Sequence, residues 1–274
     1  MWELSTGRLV LSLSAEFPRV SRLVAARDDA LLVMGHADTG EVQVWDIGSG
    51  KKLAAMSHWE AGGRGPAQRQ EREQARRLDY LCLSADGTTA VTLGGGLVRV
   101  HELTLNRVVL EMRLELPLAC MVLSADGGTA YVVTESGAAC RGDAYLCSWD
   151  LRTGKVARVA CSCTYVCASL SDDEKLLALG TRSGSVCVVD VSETFGGEGG
   201  GKGGELLEVV QELQAHSAAL ACLAWLPDGR GLVSAPVSEA AQATAGSGGE
   251  WEWVAPVDSF KATGSTLAMW RVTE

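Results

Sequence analysis

The sequence predicts an all-β protein built from repeated four-stranded antiparallel units. Three observations carry this. Apolar runs broken by an Asp turn recur along the chain, and each is followed by an alternating strand that closes on Trp-Asp or a degenerate equivalent. The 32 glycines are scattered through Val, Leu and Ala segments without a Gly-X-Y period, as expected of short strands joined by tight turns.

The Asp turns lie in LCLSADGTTAVTL (81–93), MVLSADGGTAYVV (121–133), ASLSDDEKLLALG (168–180) and LAWLPDGRGLVSA (223–235), with a weaker copy in LVAARDDALLVMG (23–35). Asp and Gly supply the backbone angles that a two-strand reversal needs. The closing pairs are Trp45-Asp46, His101-Glu102, Trp149-Asp150, Val189-Asp190 and Trp270-Arg271. A fourth apolar strand follows three of these, at 50–56, 106–112 and 154–160. Five copies of such a unit cannot each hold a core, so neighbours must stack.

This set of residues resembles the WD-repeat β-propeller family over essentially the whole chain, read as one domain from 1 to 274. The resemblance implies blades of four antiparallel strands, about five of them visible here. Trp45, Asp46 and Trp149 are then structural, as is a His–Ser–Trp arrangement of His216, Ser234 and Trp270. The family's Gly-His dipeptide survives only as Ala215-His216, and Trp is replaced at His101 and Val189.

Two closures are compatible with the pattern. Residues 7–13 (GRLVLSL) can supply the outer strand that the last unit lacks, giving a closed five-bladed ring. WELSTGRL at 2–9 also repeats the form of WDIGSGKKL at 45–53 and WDLRTGKV at 149–156. The favoured expectation is therefore a seven-bladed ring lacking upstream blades.

Four insertions interrupt the repeat, at 58–77, 135–144, 193–205 and 236–263. Family topology puts all but the 193–205 segment on one face, and loops on a rigid scaffold are where recognition concentrates. Arg69, Arg72 and Arg76, with Arg77, outnumber Glu71 and Glu73 in the first, which is compatible with a short helix from Pro66 or a solvated linker. Trp251 and Trp253 in the last are either interface anchors or a hairpin packed on its own blade.

Catalytic and metal signatures are weak. Gly199, Gly201 and Gly204 match G-x-G-x-x-G only formally, and Gly203 stands where a P-loop needs Ser or Thr. Cys161, Cys163 and Cys167 have neither C-x-x-C spacing nor a nearby His, so no metal or other cofactor is expected. The nine cysteines read as reduced thiols. No nucleophile elbow or paired His ligands appear, and His36, His58, His101 and His216 read as structural or surface groups. Arg141-Gly142-Asp143 spells an adhesion tripeptide by chance.

The net charge of −10 argues against a nucleic-acid partner, and no apolar run suits a membrane span or an export signal. Cytoplasm is the expected location, with nucleus or a cytoskeletal or ciliary assembly compatible. The expected function is a non-enzymatic protein-protein interaction scaffold. Trp251 and Trp253 would be buried on the partner, with Arg69, Arg72 and Arg76 steering it. One alternative is a substrate receptor of a cullin-4 ubiquitin ligase. Trp149-Asp150-Leu151-Arg152 matches the family's WDxR adaptor-docking motif, and Asp143 and Leu146 suit its longer form. The other alternative is a propeller enzyme with a site assembled from distant residues.

Overall fold

The computed structural model describes residues 2–3, 5–9, 12, 20, 22–26, 30–36, 39–58, 78–114, 117–135, 144–195, 207–226, 229, 231–237 and 268–271, with backbone only at 2–3 and 268–271. They form β-sheets and one short helix, and no helix among them is long and apolar enough to cross a membrane. The chain divides into two compact units, Met1–Glu115 with Ala125–Gly128, and Leu116–Ser124 with Thr129–Glu274.

The first unit holds a two-stranded hairpin, β1 (Trp2–Glu3) and β2 (Arg8–Leu9), and two four-stranded antiparallel meanders. One meander is β3 (Arg22–Ala25), β4 (Leu31–Gly35), β5 (Glu41–Asp46) and β6 (Lys51–Ser57). The other is β7 (Tyr80–Leu83), β8 (Thr89–Gly94), β9 (Leu97–Glu102) and β10 (Arg107–Arg113). Val33, Val42, Val44 and Met56 of the former bury against Leu78 and Leu81 beside the latter. Arg22 of β3 fastens the pair, donating from Nε and Nη2 to the Asp79 carbonyl at 2.9 and 2.6 Å.

The hairpin repeats the register of the sheets: Trp2 pairs with Leu9 as Trp45 pairs with Lys52 and His101 with Val108. It therefore has the geometry of a third-to-fourth-strand reversal. The outer strands β6 and β10 each carry a bulge, in which Leu53 and Val109 are the extra, exposed residues.

The second unit holds β11 (Leu118–Leu123), β12 (Thr129–Thr134), β13 (Ala144–Asp150) and β14 (Val156–Cys161) as one meander. The next is β15 (Tyr165–Leu170), β16 (Leu176–Thr181), β17 (Ser185–Asp190) and β18 (Gln211–Gln214). A three-stranded sheet follows, β19 (Leu220–Trp225), β20 (Gly231–Pro236) and β21 (Ala268–Arg271). The middle meander is buried on both faces. Leu177, Leu179, Cys187 and Val189 pack with Val133, Leu146 and Val159, while Ala178, Val186 and Val188 pack with Leu220, Trp225 and Leu232. Its central strands accordingly read as unbroken apolar runs.

The 193–205 insertion departs from expectation at its start. Residues Val191–Phe195 form a helical turn, α1, because the Asp190 carboxylate accepts hydrogen bonds from the Ser192 and Glu193 amides at 2.9 and 3.0 Å. This is the chemistry of a helix N-cap.

Two of the Asp turns share a side-chain clasp, and a third keeps its serine half. Ser84 and Ser171 donate to Asp86 and Asp173 at 2.6 and 2.7 Å, and each serine oxygen accepts the amide five residues on, from Thr89 at 2.9 Å and Leu176 at 3.0 Å. The third clasp residue, Ser124, accepts the Thr129 amide at 2.9 Å. Within this turn Glu174 has φ +60°, where Gly87, Gly127 and Gly229 have +68°, +65° and +66°. A side chain there is strained by about 1–2 kcal/mol. Glu174→Gly should therefore raise the unfolding free energy read from urea denaturation, by about 0.5–1 kcal/mol net once the greater freedom of the unfolded chain is deducted.

Candidate functional site

Antiparallel order fixes where each connection leaves its sheet. The Asp turns join first to second strands and the Gly or Ser turns join third to fourth, both at one end of the sheet. Connections from second to third strand, and from fourth strand to the next sheet, leave from the other end. Residues 59–77 after β6, 136–143 after β12 and 238–267 after β20 all depart from that second end of their own sheets. The β17 to β18 connection departs from the Asp-turn end.

In the first unit the start of the first insertion is anchored by a buried polar relay. His58 donates its amide to the Gly40 carbonyl at 2.8 Å, and its Nδ1 lies 2.8 Å from Thr92 Oγ1 on β8. Thr92 Oγ1 lies 2.9 Å from His101 Nε2 on β9, and His58 Nε2 lies 3.4 Å from the Gly94 carbonyl. One proton arrangement satisfies this chain. His58 Nε2–H donates to Gly94, Thr92 donates to His58 Nδ1, and His101 Nε2–H donates to Thr92. The His101 Nδ1 lone pair is then left buried with no hydrogen-bond partner.

A second proton on His101 would thus have no acceptor in reach. Burial, reinforced by the Arg99 guanidinium, holds both imidazoles neutral, with pKa values lowered to about 4. Arg99 is itself buried and paired with Glu111 at 2.6 Å. All three relay residues are at most 1% exposed, so the relay is sealed from solvent and its work is structural.

The second unit fills the same positions with polar, mixed and apolar pairs. His216 Nε2 lies 2.8 Å from Ser234 Oγ on β20, the counterpart of the His58–Thr92 contact. Trp270 takes the register place of His101, opposite Leu232 as His101 is opposite Ala90, but its side chain is outside the described residues. In β12 and β13 the hydroxyl is replaced by Val132, and the buried Trp149 indole N–H has no partner. In β16 and β17 the two positions are Leu179 and Val189, both fully buried and wholly apolar. Gly184 holds the His216 segment, its carbonyl accepting the Ala215 and His216 amides at 3.2 and 3.0 Å. With φ +88°, and a Cβ there overlapping the His216 and Ala218 carbonyls, the position admits glycine alone.

The remaining closing pairs serve turns. Trp45 is buried and its indole donates to Gln43 Oε1 at 3.1 Å, while Asp46 binds the Ser49 amide at 2.7 Å and the Ser49 hydroxyl. Asp150 accepts the Arg152 and Thr153 amides at 2.8 and 3.0 Å, which fixes the β13–β14 turn and leaves Arg152 exposed. Hydrogen bonds from the Ser49 and Thr153 side chains, and then these amides, keep the two carboxyls below their ordinary range.

Arg69, Arg72, Arg76, Trp251, Trp253 and Asp143 lie outside the described residues. Among the described residues no group of three or more His, Cys, Asp or Glu is placed to hold a metal ion. The His58–Thr92–His101 relay was not legible as a unit. The insertion stretches the His-to-hydroxyl separation to 34 residues, against 18 for His216 and Ser234, and His101 reads as a lost Trp. The available signal was the match of His58 to His216, each just after a fourth strand.

The relay makes a pH prediction. Each ring titrates at about 4 when folded and near 6.5 when unfolded, so between these values the unfolded chain binds protons that the folded chain refuses. Stability is full above about 6.5 and falls as pH drops through this window. At pH 5 the loss is on the order of 2 kcal/mol per histidine. Urea unfolding of the first unit at pH 7.5 and pH 5.0, followed through His58→Gln against the parent chain, checks it.

No protein-family model and no curated protein sequence matches the chain. Solved structures do match in fold. A Myceliophteria thermophila Cps50 (Swd1) β-propeller domain superposes with TM-score 0.60 at 14% identity over 82% of this chain and 64% of that one. Kuenenia stuttgartiensis hydrazine synthase superposes with TM-score 0.59 at 16% identity over 84% of this chain and 61% of that one. The chain thus spans under two thirds of either structure. At these identities the likeness concerns architecture: the chain has an all-β propeller fold, with four four-stranded antiparallel blades, a three-stranded sheet and a two-stranded hairpin among the described residues.

Proposed function

We propose that this chain is one WD-repeat propeller domain, or part of one, acting as a non-enzymatic protein-protein interaction scaffold. The observation that carries the reading is the placement of the insertions. Three of the four leave, each from its own sheet, at the end opposite the first-to-second-strand reversal, where a loop lengthens without disturbing that turn. The buried relay beneath the first of them supplies a fixed base for recognition.

The partner surface is assigned to Trp251 and Trp253, with Arg69, Arg72 and Arg76 drawing in an acidic protein. Burial of paired tryptophans supplies affinity, and the arginines raise the association rate. A pull-down comparing the intact chain with one lacking residues 240–258 tests this. Recovery of partners should fall at least tenfold, or about 1.4 kcal/mol, and unchanged recovery refutes it.

A second reading, docking onto a cullin-4 adaptor, is favoured by one feature. The Arg152 side chain is exposed on a turn whose backbone is fixed by Asp150. Arg152→Ala in the same pull-down should abolish adaptor recovery while sparing other partners if that reading holds.

A further inference from the structure

The outer strand β14 differs from its counterparts in the other blades. Strands β6 and β10 are each broken by a bulge and β18 is only four residues long, whereas β14 runs six residues opposite β13 without a register shift. Its ladder has a fixed phase. The Asp150 amide donates to the Lys155 carbonyl at 2.9 Å, so the bonds to β13 fall at Ala157, Val159 and Cys161. Val156, Arg158 and Ala160 then turn their backbone groups outward, away from the sheet. One of these groups is already in use. The Leu207 amide, on the segment that leads into β18, donates to the Ala160 carbonyl at 2.8 Å. Leu207 is buried in the same cluster as Val159, so chain from outside the sheet already meets this edge at ladder distance.

The rest of the edge is open and carries one sign of charge. Val156 is 50% exposed, and Arg158 is exposed on the same face. Arg152 and Lys155, on the turn that opens the strand, are exposed as well. The carboxylate of that turn, Asp150, is engaged by the Arg152 and Thr153 amides. Neither Lys155 nor Arg158 makes an ion pair among the described residues, and the Arg158 guanidinium lies 5.5 Å from the centre of the Tyr145 ring. In a chain of net charge −10 this edge is locally basic.

We propose that the outer edge of β14 is a strand-addition site for an extended acidic segment of a partner protein. The incoming backbone pairs with the outward groups of Val156 and Arg158 and extends the sheet by one strand. Side chains supply the selectivity. The segment sets an apolar residue against Val156 and a carboxylate against Arg158, and a second carboxylate answers Lys155 on the opposite face. The bulges of β6 and β10 break the spacing that such a ladder needs, and β18 is short, which confines addition to β14. The site uses neither Trp251 and Trp253 nor the arginines of residues 58–77, so it goes beyond the insertion-face reading and is tested apart from it.

The probe is a blocked, fluorescein-labelled Glu-Val repeat peptide, titrated against the full chain and read by anisotropy. It should bind, and a Lys-Val peptide of the same length should not. Methylating every backbone nitrogen of the probe keeps its charges and removes its donors, and should weaken binding roughly tenfold or more. Arg158→Glu should weaken it by a similar factor. Hydrogen exchange resolved by NMR should slow at the Val156 and Arg158 amides on binding and stay unchanged at those of Ala157 and Val159. Equal binding of the methylated probe overturns the proposal, because charge alone then suffices. So does protection on another strand, or no binding at millimolar probe. Binding that appears only once residues 196–206 are deleted also overturns it, since the occupant is then this chain's own insertion. The parent chain with the paired probes decides the matter even where a variant fails to fold.

Discussion

A four-stranded antiparallel sheet with apolar side chains on both faces cannot bury either face by itself. Everything else in this chain follows from that constraint. Strands β16 and β17 show it most plainly, since Leu177 and Ala178 are adjacent in sequence yet belong to cores on opposite sides. Inner and middle strands are clamped between neighbours, and outer strands such as β10 alternate between exposed and half-buried positions. Stability therefore resides in pairs of sheets, and a cavity opened at Leu179 or Val189 weakens two sheets together.

Given such stacking, the interior of each sheet must be chemically consistent across its second and third strands, and this chain shows three ways to achieve that. His58, Thr92 and His101 are polar and mutually satisfied, with one lone pair spare. Leu179 and Val189 are apolar and need nothing. Val132 and Trp149 are mixed, and the unmatched indole N–H forgoes a hydrogen bond, a cost on the order of 1–3 kcal/mol. Where both members of a pair are apolar, as at Leu179 and Val189, no buried polar atom is left unmatched. Where one is polar, as at Trp149, the burial of a large ring offsets the unmatched N–H.

The strands and turns were legible because their signals are local. The Ser-x-Asp reversals and the closing pairs fell in strands where the spacing put them, down to Trp2-Glu3 pairing as the other closing pairs do. The helical turn after Asp190 was missed because a glycine tract follows it and masks a cap that depends on one carboxylate. The relay was missed for a different reason. Its members are joined across an insertion of arbitrary length, and a histidine in place of tryptophan reads as loss when it is a change of partner.

The bulges at Leu53 and Val109 carry a consequence for behaviour at high concentration. Both are exposed apolar residues on outer strands, where a regular edge would offer a row of amides and carbonyls to any passing strand. The extra residue breaks the spacing that an incoming ladder must match. In β6 the lysines Lys51 and Lys52 add charge beside the kink, and in β10 Arg107 and Glu111 flank the exposed Val108 and Val109. At both strands a misfit of backbone pitch and charge act together. Straightening β10 by deleting Val109 would turn a quiet rim into a nucleus for fibrous assembly.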